Sequence, residues 1–145
     1  GGVSKGELLR ILGDGFYVSE WAKGIISKPQ FTTLSEPTEI YLARVKVKDL
    51  GFTEMPTTVE LFTRIKEIGG LCPPEVGPHL RLADKDQPKG TGYWVAMEPI
   101  AGSGGGPSVF RVGRGGGGER WLYANCAVPG RRWGLEGGVV FCLSK

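Results

Sequence analysis

Cys72 and His79 are the residues of this chain best suited to nucleophilic catalysis. A cysteine thiolate attacks carbonyl carbon, and an imidazole can take the thiol proton when a carboxylate orients it. Glu75 and Asp84 lie close enough in the sequence to supply that carboxylate. These residues define the hypothesis of a small cysteine hydrolase with Cys72 and His79 as its catalytic residues.

The sequence around Cys72 argues against catalysis. Two prolines follow the cysteine directly, and they leave no helix N-terminus there that would lower the pKa of the thiol. The spacing of Cys72 and His79 also matches no pattern that is specific to a family of cysteine enzymes. We therefore favour a protein that is not an enzyme and that has no catalytic residues.

The C-terminal half offers a second kind of chemistry, because tryptophan, tyrosine and arginine occur there together. Exposed aromatic rings stack on flat ligands, and arginines bind phosphates. We expect Trp94 and Trp121 to be core residues of a small sheet. Trp133 differs, because it lies beside two arginines in the loop sequence PGRRWG, where a partner contact is favoured. The predicted ligand-binding residues are Trp133, Arg131, Arg132, Tyr123 and Arg114.

These residues support two hypotheses of binding besides the hydrolase. The first is a non-catalytic ligand- or partner-binding domain whose surface is formed by loops at one end of the C-terminal sheet. The second is a single-stranded nucleic-acid-binding protein that uses the basic and aromatic residues of positions 111–133. The distribution of charge permits an anionic partner. The residues from His79 onward have a net charge of +4, from 9 basic and 5 acidic residues, whereas the residues before it have a net charge of −1, from 9 basic and 10 acidic residues. We favour a protein or small-molecule partner, with nucleic acid as the alternative.

Two glycine-rich stretches resemble phosphate-binding loops. They are residues 102–107 (GSGGGP) and 113–118 (GRGGGG), in a chain with 25 glycines among its 145 residues. Phosphate loops lead into a helix whose N-terminal amides bind the anion, but no helical pattern and no G-x-x-x-x-G-K-[ST] motif follows here. We therefore predict two hairpin tips and no nucleotide cofactor.

The cysteine and histidine content argues against metal and disulfide sites. The chain has 3 cysteines, with no C-x-x-C pair among them, and its 1 histidine cannot form a His-rich metal site. We expect no metal and no cofactor.

The composition is that of one folded domain spanning residues 1–145. Hydrophobic residues make up 40% of the chain and charged residues 23%, which is the range of globular proteins. No apolar run approaches the roughly 18 residues that cross a bilayer, and the first residues lack the pattern of a signal peptide. We expect a cytoplasmic protein that does not contact a membrane.

Two short helices are predicted in the N-terminal segment, residues 1–38. Ser4 is an N-cap for a helix at about 4–12, and Ser19 is an N-cap for a second helix that ends before a proline. In this second helix, Trp21 falls on the apolar face, so we expect it in the core.

Residues 39–145 are predicted to form a core of one strand, one helix and a sheet. The alternation at 39–50 predicts a strand with basic residues on its solvated face, which is typical of a sheet edge. Thr57 and Glu60 form a capping box before an apolar pattern at i, i+4 and i+7, so a helix is predicted at about 58–68.

The rest of the chain predicts a sheet, because runs of β-branched and aromatic residues alternate with glycine and proline. These runs lie at residues 79–83, 92–100, 108–112, 120–128 and 138–143. Both faces of residues 93–97 are apolar, which predicts a central strand, and the short loops favour a meander. The predicted fold class is α+β, with N-terminal helices and one central helix packed on a mainly antiparallel sheet that can curl into a half-barrel.

Several phrases of the chain resemble an uncharacterised family of short bacterial proteins from environmental genomes. They are CPPEVGPHLRL (72–82), DQPKG (86–90), YWVAMEPI (93–100) and PSVFRV (107–112), and the likeness covers roughly residues 40–145. The resemblance implies a bacterial protein, with an accessory gene of mobile DNA as its context, and it assigns no activity and no site residue. The glycines at 102–106 and 115–118 depart from the family, whose members often carry Asp or Asn there.

Overall fold

The computed structural model describes residues 1–102 and 105–143 and shows an α+β fold, which confirms the predicted class. Within these residues, four α-helices and one 3-10 helix accompany an eight-stranded mixed sheet that is not closed into a barrel. The helices are α1 (Lys5–Leu12), α2 (Glu20–Ile26), α3 (Thr58–Ile68), α4 (Val76–Ala83) and the 3-10 helix Val47–Leu50. The strands are β1 (Tyr17–Val18), β2 (Leu42–Lys46), β3 (Gly69–Gly70), β4 (Gly92–Val95), β5 (Ile100–Ala101), β6 (Pro107–Arg114), β7 (Arg120–Cys126) and β8 (Gly138–Leu143).

The sheet has the strand order β1-β7-β6-β4-β8-β2, with β3 beside β8 and β5 beside β6. The pairs β1–β7 and β4–β8 are parallel and the other pairs are antiparallel, so the sheet is mainly antiparallel, as predicted. β4 lies between β6 and β8, which confirms its central position. The predicted meander is wrong for β8, which lies parallel to β4 instead of beside β7. The connection at 127–137 does not turn back beside β7, because it packs Trp133 into the core.

The predicted helix starts are confirmed at three positions. The side chains of Ser4, Ser19 and Thr57 each accept a hydrogen bond from a backbone N–H in the first turn of the helix that follows. At Thr57 the capping box is complete, because the Glu60 carboxylate accepts the N–H of Thr57 at 3.0 Å. None of the helices in the described part of the chain is long and apolar enough to cross a membrane.

The segment at 79–83 forms the second half of α4, so its prediction as a strand was wrong. The two prolines after Cys72 were expected to leave no helix N-terminus there, but they form the turn that leads into α4 at Val76. Pro78 lies in the first turn of α4, where a backbone N–H has no acceptor within the helix, so a proline costs little there.

The glycine loop at 113–118 is the tip of the β6–β7 hairpin, as predicted. Gly115 donates its N–H to the carbonyl of Glu119 at 2.8 Å, and Gly118 has a φ of 96°, which favours glycine. The other predicted tip, at 102–107, includes residues 103 and 104, which lie outside the described residues.

The two faces of the sheet are covered differently, since successive residues of a strand point to opposite faces. On the back face, α2 and α4 contact β7, and α1 contacts α4. A Cβ atom on Gly77 of α4 would lie 2.6 Å from the ring of Phe110, so glycine is needed for this close approach. On the front face, Trp94 contacts Trp133 edge-on, and Trp133 contacts Phe62 of α3. α3 and the 127–137 connection therefore cover the front of the sheet at Trp94 of β4.

Two sequence expectations about exposed positions have different outcomes. Trp21 is exposed rather than part of the core, because α2 buries Ala22, Ile25 and Ile26 instead.

The edge position of β2 is confirmed, since β2 is the last strand in the strand order of the sheet. The strand is shorter than predicted, because residues 47–50 form the 3-10 helix. Arg44 of β2 forms an ion pair with Asp84, and Lys46 of β2 and Lys48 of the 3-10 helix form ion pairs with Glu136.

The core packing of α3 predicts unequal effects of two isoleucine truncations in the same helix. Ile65→Ala should lower the free energy of unfolding by about 2 to 5 kcal/mol, because Ile65 is fully buried. The matched control Ile68→Ala should lower it by less than about 1 kcal/mol, since Ile68 is 40% exposed. Urea unfolding followed by circular dichroism measures both, and equal losses would contradict this packing.

Candidate functional site

The front of β6 and β7 and the adjoining β1 form a sheet surface whose side chains remain partly exposed. Along β7, Trp121 and Tyr123 are half-buried, whereas Leu122 between them is buried against the back layer. Tyr17 of β1 is 50% exposed. Arg111 of β6 lies directly across from Tyr123 and is half-buried. We call the surface formed by Tyr17, Arg111, Trp121 and Tyr123 the open face.

The aromatic residues of the open face form a continuous stack. Trp121 stacks on Tyr17 across the parallel β1–β7 pair, with ring centroids 4.9 Å apart. It also stacks on Tyr123, two positions further along β7, at 5.3 Å and an interplanar angle of 11°. The pairing of β1 with β7 sets the first contact, and the two-residue period of β7 sets the second, so all three side chains leave the sheet on the same side.

Arg111 lies flat on the sheet beside this stack. Its guanidinium carbon is 5.7 Å from the centroid of the Tyr123 ring, within the range of a cation–π contact. A Cβ atom on Gly92 would overlap the guanidinium, and a Cβ atom on Gly113 would lie 3.1 Å from it. The absence of side chains at these two glycines therefore provides the space that Arg111 occupies.

Arg111 also differs from the other eight arginines in its hydrogen bonding. Among residues 1–102 and 105–143, its guanidinium has no hydrogen bond and no ion pair. Every other arginine donates to a carbonyl or a carboxylate within the chain; these are Arg10, Arg44, Arg64, Arg81, Arg114, Arg120, Arg131 and Arg132. Arg111 thus places its unused donors beside the partly exposed ring of Tyr123.

Trp133 is buried, so the prediction of an exposed ligand contact there was wrong. Its indole N–H donates to the Thr58 hydroxyl at 2.8 Å, and its ring packs against Trp94 and Phe62. The guanidinium of Arg131 lies 4.6 Å from the centroid of the Trp133 ring. A loop tryptophan that fills the core in this way holds α3 against the sheet.

The other predicted ligand-binding residues have different surroundings. Arg132 donates to the carbonyl of Met55, and Arg114 donates to the carbonyls of Gly118 and Gln87, so both arginines fasten loops. Tyr123 alone of the five predicted residues belongs to the open face.

Sequence reasoning found part of the open face. Arg111 and Trp121 lie within positions 111–133 of the nucleic-acid hypothesis, but Trp121 was expected in the core and is only half-buried. Tyr17 was missed, because it lies in a strand of only two residues. The pairing of β1 with β7 is a long-range contact, and no local pattern indicates it.

The structure gives Cys72 and His79 different partners. Cys72 is buried and donates to the carbonyl of Val140 at 3.8 Å, and burial raises the pKa of its thiol well above the usual range. His79 lies instead beside Glu75, with 3.3 Å between Nε2 and the carboxylate. No hydrogen bond joins Cys72 to His79 in the described structure. A buried thiol with a raised pKa is a poor nucleophile.

The described ranges contain no group of three or more His, Cys, Asp and Glu side chains that could hold a metal ion. Comparison of the chain with protein-family models, with curated proteins and with solved structures finds no match. The function must therefore be inferred from the chemistry of the candidate sites.

The thiol environments predict the order in which the cysteines react with a disulfide reagent near neutral pH. Cys126 is exposed and should react first, whereas Cys72 should react only when the protein opens, because the thiolate is the reactive form. Mass spectrometry of partly labelled protein gives the order, and the Cys72→Ala variant should keep the fast phase. Labelling of Cys72 as fast as a free thiol would instead favour the hydrolase hypothesis.

Proposed function

We propose that this chain is a non-catalytic binding domain whose ligand is a single-stranded nucleic acid held on the open face. The observation that carries the proposal is the position of Arg111, whose donors have no acceptor among the described residues and which lies beside the stacked rings of Trp121 and Tyr123. An unbound guanidinium next to aromatic rings matches the two parts of a nucleotide, a phosphate and a flat base.

Each part of the ligand has a matching group on the face. A guanidinium binds phosphate oxygens through two parallel hydrogen bonds, which Arg111 has free to donate. Aromatic side chains stack on any base, which gives about 1 to 3 kcal/mol per base. The bases of a duplex are already stacked on one another, so the ligand is expected to be single-stranded.

Positive charge at the tip of the β6–β7 hairpin favours the same ligand. Lys89 and Arg114 both lie close to Gly118 at this tip. Arg114 and Arg120 are cross-strand partners whose side chains leave the sheet on the side opposite to Trp121, so they contribute charge but are not part of the open face. Asp86 and Glu119 lie in the same loops, so the local charge is positive but moderate. The wider expectation of a protein or small-molecule partner remains a prediction.

The proposal predicts how binding changes with salt. A fluorescently labelled single-stranded oligonucleotide should bind at low salt. A plot of log affinity against log salt concentration should have a slope of about −0.7 for each phosphate contact. Arg111→Gln should weaken binding and flatten the slope by about 0.7, because one contact is lost. Trp121→Leu should weaken binding and leave the slope unchanged, because stacking releases no counterions. Fluorescence anisotropy at several salt concentrations measures both quantities.

The chain offers a matched control for Arg111. Arg132→Gln removes the same charge from an exposed arginine that bonds the Met55 carbonyl and does not belong to the open face, so affinity and slope should stay unchanged. A duplex of the same sequence should bind more weakly than the single strand. The proposal is wrong if no single strand binds at low salt, or if Arg111→Gln and Arg132→Gln have equal effects.

A further inference from the structure

A cleft of about 260 Å³ lies between α4 and the chain that leads into β2, away from the open face. Its walls are mostly aliphatic, formed by Ile40 and Leu42 on one side and by Val76 and Leu80 on the other. Glu75 and His79 add a carboxylate and an imidazole to this apolar lining. The cleft thus combines an apolar volume with one acidic group.

Glu75 is buried, and one of its carboxylate oxygens has no hydrogen bond within the described residues. The side chain is 2% exposed, and Oε1 accepts the N–H of Leu34 at 2.9 Å. Oε2 lies 3.5 Å from the amino group of Gly1 and 3.3 Å from Nε2 of His79, but neither contact is a hydrogen bond within the described residues. A buried carboxylate oxygen without a hydrogen bond is unfavourable, so a donor that approaches Oε2 more closely would stabilise it.

We propose that this cleft binds a primary ammonium group carried on an apolar tail. When the imidazole proton of His79 is on Nδ1, Nε2 is an acceptor, and two acceptors then face one position. An ammonium group has three donors and can donate to Glu75 Oε2 and His79 Nε2 together. Its positive charge also compensates the buried carboxylate, which neither a neutral nor an anionic group does.

The size of the cleft limits the tail of the ligand. A volume of 260 Å³ holds roughly nine water-sized groups at about 30 Å³ each. Phenethylammonium has about that many non-hydrogen atoms, and its ring would contact the aliphatic walls. It is therefore a suitable probe.

The amino group of Gly1 lies 3.5 Å from Glu75 Oε2 and would compete with an added ammonium. The ligand would take the place of this group, with its tail in the cleft that Gly1 also lines. Acetylation of the Gly1 amino group removes the competing charge, so the acetylated chain should bind the probe at least as tightly as the unmodified chain.

The experiment titrates phenethylammonium into the acetylated chain by calorimetry and by ¹H–¹⁵N NMR. We expect saturable binding with a Kd below about 1 mM, and a shift of the Leu34 amide, which reports on the Glu75 carboxylate. The neutral analogue 2-phenylethanol and the anion phenylacetate should bind at least about tenfold more weakly. Equal binding of phenethylammonium and 2-phenylethanol would overturn the proposal, as would the absence of saturation.

Two variants test the site independently. Glu75→Gln keeps an acceptor for Leu34 but removes the charge, and it should weaken phenethylammonium binding by about tenfold or more without affecting 2-phenylethanol. Ala83→Trp narrows the cleft at an exposed lining position, so it should block the probe even if Glu75→Gln folds poorly. The control Glu54→Gln removes an exposed carboxylate that does not line the cleft and should not change binding. Unchanged affinity in Ala83→Trp, or an equal loss in Glu54→Gln, would overturn the proposal.

Discussion

The guanidinium of Arg81 is fully buried between α4 and the β6–β7 hairpin, and three segments that are separate in the sequence meet at it. It donates to the Gln87 side chain at 2.9 Å and to the carbonyls of Gly113 and Asp84 at 2.6 Å. Burial lowers the pKa of Arg81, although the nearby Tyr93 and Asp84 partly oppose this, and a guanidinium remains protonated in any case. Because a buried charge is costly unless it is bonded, the fold is stable only when all these segments are in place.

The hydrogen bonds of Arg81 also affect the open face, because some of their acceptors are backbone carbonyls of β6 and β7. Gly113 and Trp121 are direct cross-strand partners, and both of their carbonyls lie within hydrogen-bond distance of Arg81 from the back. The Gln87 side chain donates to the carbonyl of Val112 at 3.1 Å, so it fastens β6 at a neighbouring position. A side chain on the front is only as well positioned as the strand that carries it. The interactions of Arg81 on one face therefore set the positions of Arg111 and Trp121 on the other.

Features governed by local physics could be predicted from the sequence. Ser19 and Thr57 begin helices because their side chains cap nearby N–H groups, and those caps depend on a few adjacent residues. Trp133 could not be assigned correctly, because its partner Thr58 is 75 residues away and only the folded chain brings the two together. The aromatic stack could not be predicted for the same reason, because Tyr17 contacts Trp121 through the pairing of two strands that are distant in the sequence. Sequence gives the type of a side chain, but whether an arginine is satisfied depends on what the fold places around it.

Which arginines are already hydrogen-bonded within the chain affects the kind of binding that the open face can support. Most of the basic side chains near the hairpin are engaged with carbonyls, as Arg114 and Arg120 are, so few of them are free to neutralise phosphates. Arg111 lies against Tyr123 over glycines that leave it room, so part of its conformational freedom is already lost before a ligand arrives. Binding on such a surface would depend more on stacking than on counterion release. Stacking hardly distinguishes one base from another, because every base has a flat face. Under the proposed function, the open face would therefore bind unpaired bases of any sequence and hold a phosphate at one point, and it would not follow a long charged backbone as a basic groove does.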